Sequence, residues 1–124
     1  MMIKRPLVSV VDDDESVRES LPDLLRELGY SARAFSSAEE FLASDCLAET
    51  RCLLLDIAMP GMTGPDLQQE LTARGQEIPI IFITAQADEA VRSRSLEQGA
   101  VECLFKPFSD TALFDALIAA FRVS

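Results

Sequence analysis

Four stretches of this sequence end in residues suited to oxyanion chemistry: Val11-Asp12-Asp13-Asp14, Leu55-Asp56, Ile83-Thr84 and Phe105-Lys106. A carboxylate that ends a buried strand is costly to ionise unless a charge waits for it. Carboxylates crowded together repel, and a hard divalent cation relieves the repulsion. Mg2+ (or Mn2+) keeps several waters and uses one or two carboxylates. Asp13 and Asp56 are the expected ligands, with Asp12 acting directly or through water and Ala58, two residues past Asp56, offering its backbone carbonyl. Lys106 supplies a compact positive charge and Thr84 a hydroxyl donor. Such a set would neutralise an incoming phosphoryl group, which is most of what catalysis of phosphoryl transfer requires. The expected nucleophile is the Asp56 carboxylate, giving an acyl phosphate.

Composition narrows the field. The chain has 124 residues, enough for one domain with a core, and its 48% hydrophobic content suits independent folding. The net charge of −10, from 21 acidic and 11 basic residues, argues against direct contact with nucleic acid or an anionic membrane. No apolar run approaches the ~20 residues of a membrane span. Lys4 and Arg5 before Leu7-Val8-Ser9-Val10-Val11 faintly suggest a signal peptide, but the run is too short and ends in aspartates. Cys46, Cys52 and Cys103 are an odd number without C-x-x-C spacing, so a cytoplasmic protein with packed thiols is expected. There is no histidine, which removes Ser-His-Asp catalysis and leaves the chain only the acceptor role in any transfer from phosphohistidine.

The elements that must position these residues alternate. Leu7–Val11 reads as a strand; Val17, Leu21, Leu24, Leu25 and Leu28 recur at helical spacing, with Pro22 inside and Gly29 closing. Tyr30–Phe35 is a second strand, and Ser37 followed by Glu40 opens a short helix carrying Phe41 and Leu42. Asp45–Arg51 reads as a polar connection, and Cys52–Leu55 as a strand apolar on both faces. Pro60, Gly61 and Gly64 break the chain before a helix with Pro65 in its first turn, carrying Leu67 and Leu71 and ending at Gly75. Pro79–Ile83, a weakly apolar helix over Asp88–Gln98, Val101–Phe105 and a helix from Ser109-Asp110 carrying Leu113, Leu117, Ala120 and Phe121 complete the chain. Five strand–helix repeats imply an α/β, flavodoxin-like (βα)5 three-layer sandwich whose parallel five-stranded sheet has the order 2-1-3-4-5. That order brings all four strand ends to one edge, with Asp12, Asp13 and Asp56 flanking the switch point.

The set Val11-Asp12-Asp13-Asp14, Leu55-Asp56-Ile57-Ala58-Met59-Pro60-Gly61-Met62-Thr63-Gly64, Ile83-Thr84-Ala85 and Phe105-Lys106-Pro107-Phe108 resembles the receiver domain of two-component response regulators. Gly99-Ala100-Val101-Glu102 is also similar, and the resemblance runs from Leu7 to Phe121. Phe105-Lys106-Pro107-Phe108 and Ser36–Leu42 look most like FixJ-type receivers of the FixJ/NarL-like subgroup, whose usual output is a helix-turn-helix. The resemblance implies that a sensor histidine kinase phosphorylates Asp56 and that Asp12, Asp13, Asp56 and the Ala58 carbonyl bind Mg2+. It implies phosphate contacts by Thr84, Ala85 and Lys106, a cis Lys106-Pro107 bond, and a change spread over the fourth helix, fifth strand and fifth helix that controls a homodimer or a DNA-binding output. A single receiver domain over 1–124, the N-terminal part of a longer transcription regulator and without its output domain, is the expectation. Such a module is a phosphorelay signalling switch, not a conventional enzyme. The sequence departs from the family at Cys103, where receivers usually carry Tyr or Phe; switching is then expected to rely on Thr84 and the fourth helix.

Taken singly, the acidic run after Val11 is a solvated helix start, Asp56 a turn residue, Lys106 a surface cation and Cys103 packing. Placement at four ends of one sheet favours function. Two rival chemistries remain: a small haloacid-dehalogenase-like phosphohydrolase using Asp12, since Asp12-x-Asp14-x-Ser16 resembles its nucleophile loop, and a flavin carrier, which the acidic first loop opposes. Met59 and Met62 are either adaptable contacts or loop apolars, and Phe114 and Ile118 are candidates for pairing between subunits.

Overall fold

Apolar β-branched and leucine-rich runs form the strands, and the residues that follow each run decide where it stops. The computed structural model describes residues 5–122, so residues 1–4 and 123–124 of the expected domain lie outside the described part. The order is β1 (Leu7–Val11), α1 (Glu15–Glu27), β2 (Ser31–Phe35), α2 (Ala38–Leu42), β3 (Thr50–Asp56), α3 (Gly64–Ala73), β4 (Ile80–Thr84), α4 (Glu89–Glu97), β5 (Glu102–Phe105) and α5 (Asp110–Arg122). All strand pairs are parallel and the sheet order is β2-β1-β3-β4-β5, as expected for the flavodoxin-like fold.

Each face of the sheet is covered. Val8, Val10, Leu54, Ile81 and Ile83 pack with Leu21 and Leu25 of α1 and Leu113 and Leu117 of α5. Val11, Leu53, Leu55 and Phe82 pack with Phe41 of α2 and Leu67 and Leu71 of α3. Leu53, Leu54 and Leu55 are fully buried, so β3 is the two-sided core strand that its run of leucines implied. In α4 the one buried residue is Ser95, whose hydroxyl donates to the Val91 carbonyl at 2.9 Å. That helix is therefore held with little apolar area, as its composition predicts.

Hydrogen bonding moves several boundaries. Tyr30 N–H donates to the Leu25 carbonyl at 3.0 Å and so still closes α1; β2 begins one residue later than its apolar pattern suggests. Pro22 lies on the buried face of α1, which continues through it. The stretch read as a polar connection contains a 3-10 turn, Leu47–Glu49, and the first two residues of β3. Thr50 is buried there because its hydroxyl donates to the Cys46 carbonyl at 2.7 Å and shares a 2.7 Å hydrogen bond with Ser9. In α2 only half of the expected capping box forms: Ser37 accepts from Glu40 N–H at 3.1 Å, while the Glu40 carboxylate takes the Ser36 hydroxyl at 2.9 Å. The full box is at α3, between Thr63 and Asp66.

Candidate functional site

The parallel register places Val11 opposite Leu55 and Asp56 opposite Ile83, so the carboxyl ends of β1, β3 and β4 share one edge. Carboxylate oxygens of Asp12, Asp13 and Asp56 lie within 4.8 Å of one another. Asp12 is fully buried and Asp56 is 6% exposed, whereas Asp13 is open to solvent. Burial first, and the nearby Asp12 charge second, push the Asp56 carboxyl up to about 7, against the opposing pull of Lys106.

Each carboxylate has a different set of partners. Asp12 Oδ1 accepts from Asp14 N–H at 2.9 Å, and its Oδ2 lies 2.8 Å from Lys106 Nζ. Asp56 Oδ1 accepts one longer backbone bond, from Ala58 N–H at 3.3 Å, and its side chain lies within hydrogen-bond reach of Asp12. Lys106 is therefore engaged with Asp12. Burial pulls its ammonium down, but contact with Asp12 and the charges of Asp56 and Asp14 outweigh burial and raise it. Lys106 follows β5, its N–H bonded to the Thr84 carbonyl at 2.8 Å, and the Lys106-Pro107 bond is cis. Thr84 is 2% exposed, and its Oγ1 accepts from Gln86 N–H at 3.1 Å; Ala85 beside it is exposed.

The donor set suits a hard cation. Three carboxylates offer oxygens at close range, two of them buried, and one of the buried pair, Asp56, is held partly protonated near neutral pH. That is the electrostatic deficit a divalent ion with oxygen ligands corrects.

The loop after Asp56 is held by groups that the sequence pattern did not single out. Glu39 of α2 accepts from Met62 N–H at 3.4 Å. Gly64 N–H donates to the Ile57 carbonyl at 3.0 Å, and a Cβ at Gly64 would stand 2.5 Å from the Asp56 carbonyl oxygen. Glycine is required there for close approach of two backbones. Arg18 of α1 donates to the Asp12 carbonyl at 3.1 Å; as a lone arginine on a helix face it carried no signal. Met59 is buried in the core beneath the loop, and Met62 is half-buried against it, so both methionines pack.

Cys103 is 2% exposed and packs in the same cluster as Phe82, with Phe105 half-buried against that cluster. Phe105 stands in register with Thr84, and Cys103 with Phe82. The two side chains thus share a face at different depths, as their spacing implied. All three cysteines are buried and free, and burial pushes Cys52 up to about 12. No helix among the described residues is long and apolar enough to cross a membrane.

Comparison with known proteins agrees with this geometry. Residues 8–118 match the family model for the response regulator receiver domain. Nodulation protein W of Bradyrhizobium diazoefficiens is 46% identical over 116 residues, which cover 94% of this chain and 51% of that protein. The solved structure of the response regulator StyR superposes with a TM-score of 0.86 at 45% identity, over 96% of this chain and 60% of that one. FixJ-N superposes with a TM-score of 0.83 at 35% identity, over 98% of this chain and 96% of that one. The chain spans about half the length of the curated relatives it matches.

Proposed function

The chain belongs to the response regulator receiver family of two-component systems, and from that premise we propose that it is a phospho-acceptor switch acting through Asp56. The observation that carries the proposal is the contrast between the two buried aspartates. Both oxygens of Asp12 are engaged, by Asp14 N–H and by Lys106, while Asp56 has one long backbone hydrogen bond and, among the described residues, no cationic partner within salt-bridge distance. A carboxylate with an uncommitted lone pair at the sheet edge is the better nucleophile.

An Asp56 oxygen attacks phosphorus on the phosphohistidine of a sensor kinase. The new P–O bond forms as the P–N bond breaks, and the electron pair leaves with the imidazole, which takes up a proton. Asp12, Asp13, Asp56 and the Ala58 carbonyl are the proposed ligands for Mg2+ (or Mn2+), which when bound neutralises the carboxylates and the phosphoryl oxygens. Lys106 gives up part of its contact with Asp12 to meet the new phosphate. The Thr84 hydroxyl and Ala85 N–H meet its other oxygens. Thr84 lies at the head of the loop to α4, the helix with the least apolar anchoring, so its displacement is transmitted there. With Cys103 in place of a ring, Thr84 and α4 carry the switch, and Cys103→Ala should leave the phosphorylation-dependent response intact. Loss of that response in Cys103→Ala would place the thiol in the relay.

The output is control of a homodimer through α4, β5 and α5, where Phe114 and Ile118 are exposed, or of a DNA-binding domain elsewhere in a longer cytoplasmic regulator. The domain acts as a signal switch and not as a conventional enzyme. Its net charge of −10 disfavours direct nucleic-acid contact. The hydrolase reading through Asp12 is disfavoured by the engagement of both its oxygens. The test is intact mass after incubation with acetyl phosphate, with and without Mg2+. One added phosphoryl group that requires both Mg2+ and Asp56 supports the proposal; labelling that survives Asp56→Asn and is lost in Asp12→Asn refutes it.

A further inference from the structure

At the pole of the sheet opposite the aspartates, a groove of about 980 Å³ is lined by Arg5, Arg26, Arg33 and Arg51, with Glu49 as its single acidic residue. The chain holds 11 basic and 21 acidic residues, so this concentration runs against the composition. The four arginines come from four different segments: the residues before β1, the last turn of α1, β2 and β3. Backbone irregularity contributes as well. The β1–β3 register steps from Leu7 opposite Thr50 to Val8 opposite Cys52, leaving Arg51 with no partner on β1. A bulge of this kind re-aims a side chain, and Arg51 is exposed between two buried neighbours.

Two of the arginines are fixed and two are free to bind. Arg26 donates to the Ala32 carbonyl and pairs with Asp23, both at 3.1 Å, and Arg5 reaches the Arg26 carbonyl at 3.5 Å. Arg33 and Arg51 form no ion pair with any described residue.

We infer that this groove binds an anion carrying two or more adjacent phosphate groups, as a nucleoside polyphosphate or an inorganic polyphosphate does. Guanidinium forks match phosphate oxygens two at a time. Glu49 and the Asp23 partner of Arg26 offset two of the four positive charges, and the two that are left attract a di- or triphosphate with roughly three to four negative charges. An acidic peptide spreads its carboxylates along the chain and loses more conformational freedom on binding. The groove volume lies at the upper end of the range for small-molecule sites, roughly 300–1,000 Å³.

The molecule carries its own reporter. Tyr30 lines the groove, is the sole tyrosine, and the chain has no tryptophan. Tyrosine emission is followed during titration with sodium tripolyphosphate at low ionic strength in EDTA. A saturable change is expected. Affinity should fall about tenfold in Arg33→Ala and in Arg51→Ala and about a hundredfold in the double variant, rise in Glu49→Gln, and stay unchanged in Asp56→Asn. Neither arginine side chain is bonded within the described chain, so the variants should retain the fold, as far-ultraviolet circular dichroism would verify. Calorimetry with ATP separates the sources: tighter binding than tripolyphosphate assigns a nucleotide, equal binding an inorganic polyphosphate, and both support the site. A flat titration to millimolar tripolyphosphate, an affinity untouched by the double variant, or hexaglutamate binding as tightly as tripolyphosphate overturns it.

Discussion

Replacing Asp56 by asparagine should stabilise the protein, and by an amount that depends on pH. The Asp56 carboxyl ordinarily titrates near 3.8 and is pushed up to about 7 in the fold, chiefly by burial and then by Asp12. Between those values the folded state holds this proton more tightly than the unfolded state, so stability falls as pH rises from about 4 to about 7 and levels off above. At about 1.4 kcal/mol per tenfold change in the proton equilibrium, that interval sets a ceiling of about 4 kcal/mol. Solvent reaching the site past the exposed Asp13 screens it, and about 2 kcal/mol is the working figure. Asparagine keeps an oxygen for the 3.3 Å bond from Ala58 N–H and carries no charge at any pH. In a domain of this size about 2 kcal/mol corresponds to about 6–10 °C in Tm. Thermal unfolding of wild type and Asp56→Asn in EDTA at pH 5, 6, 7 and 8 is the assay. The gap should widen from pH 5 to pH 8, and contributions from other groups largely cancel in the difference. Added Mg2+ should close part of the gap by stabilising the wild type alone. A variant no more stable than wild type at pH 8, or a gap that does not change with pH, would refute the electrostatic account of the site.

Three other outcomes follow from the same geometry. Gly64→Ala forces a Cβ to within 2.5 Å of the Asp56 carbonyl oxygen, and urea unfolding should show a loss of about 1–3 kcal/mol together with slower phosphorylation. Lys106→Met leaves the fully buried Asp12 without its 2.8 Å counter-charge; a loss of about 3 kcal/mol is expected by the same assay, largely absent when Asp12→Asn is combined with it. Asp14→Ala removes the cap that accepts from Ser16 N–H at 2.9 Å, and should cost about 1 kcal/mol without abolishing acyl-phosphate formation.

The strand ends were legible because the chemistry and the punctuation coincide. Leu53-Leu54-Leu55 can only be buried, Pro60 and Gly61 can only end a strand, and the acidic residue between them has nowhere to sit but the sheet edge. The same holds for Asp12 after Val10-Val11 and for Thr84 after Ile80–Ile83. Alternation of such runs with helical spacing implied a parallel sheet, and right-handed crossovers leave few orders for it. The contacts that tune the site were not legible in this way. Nothing in the sequence says that Lys106 pairs with Asp12 in preference to Asp56, because both aspartates lie many residues away and the choice depends on side-chain reach across β1, β3 and β5. Glu39 and Arg18 are ordinary helix-surface residues by composition; packing of α2 over the Asp56 loop and of α1 behind Asp12 gives them partners. Gly64 reads as a breaker, and only the approach of α3 to β3 makes its missing side chain a requirement. The arginine groove depends on the fold in the same way: Arg5, Arg26, Arg33 and Arg51 are scattered along the sequence, and the sheet order with one bulge in β3 gathers them. Local pattern thus fixed which residues are buried and where each element stops, since those depend on side-chain chemistry and backbone freedom. Which charge meets which was decided by tertiary structure, since that depends on distances no linear spacing encodes.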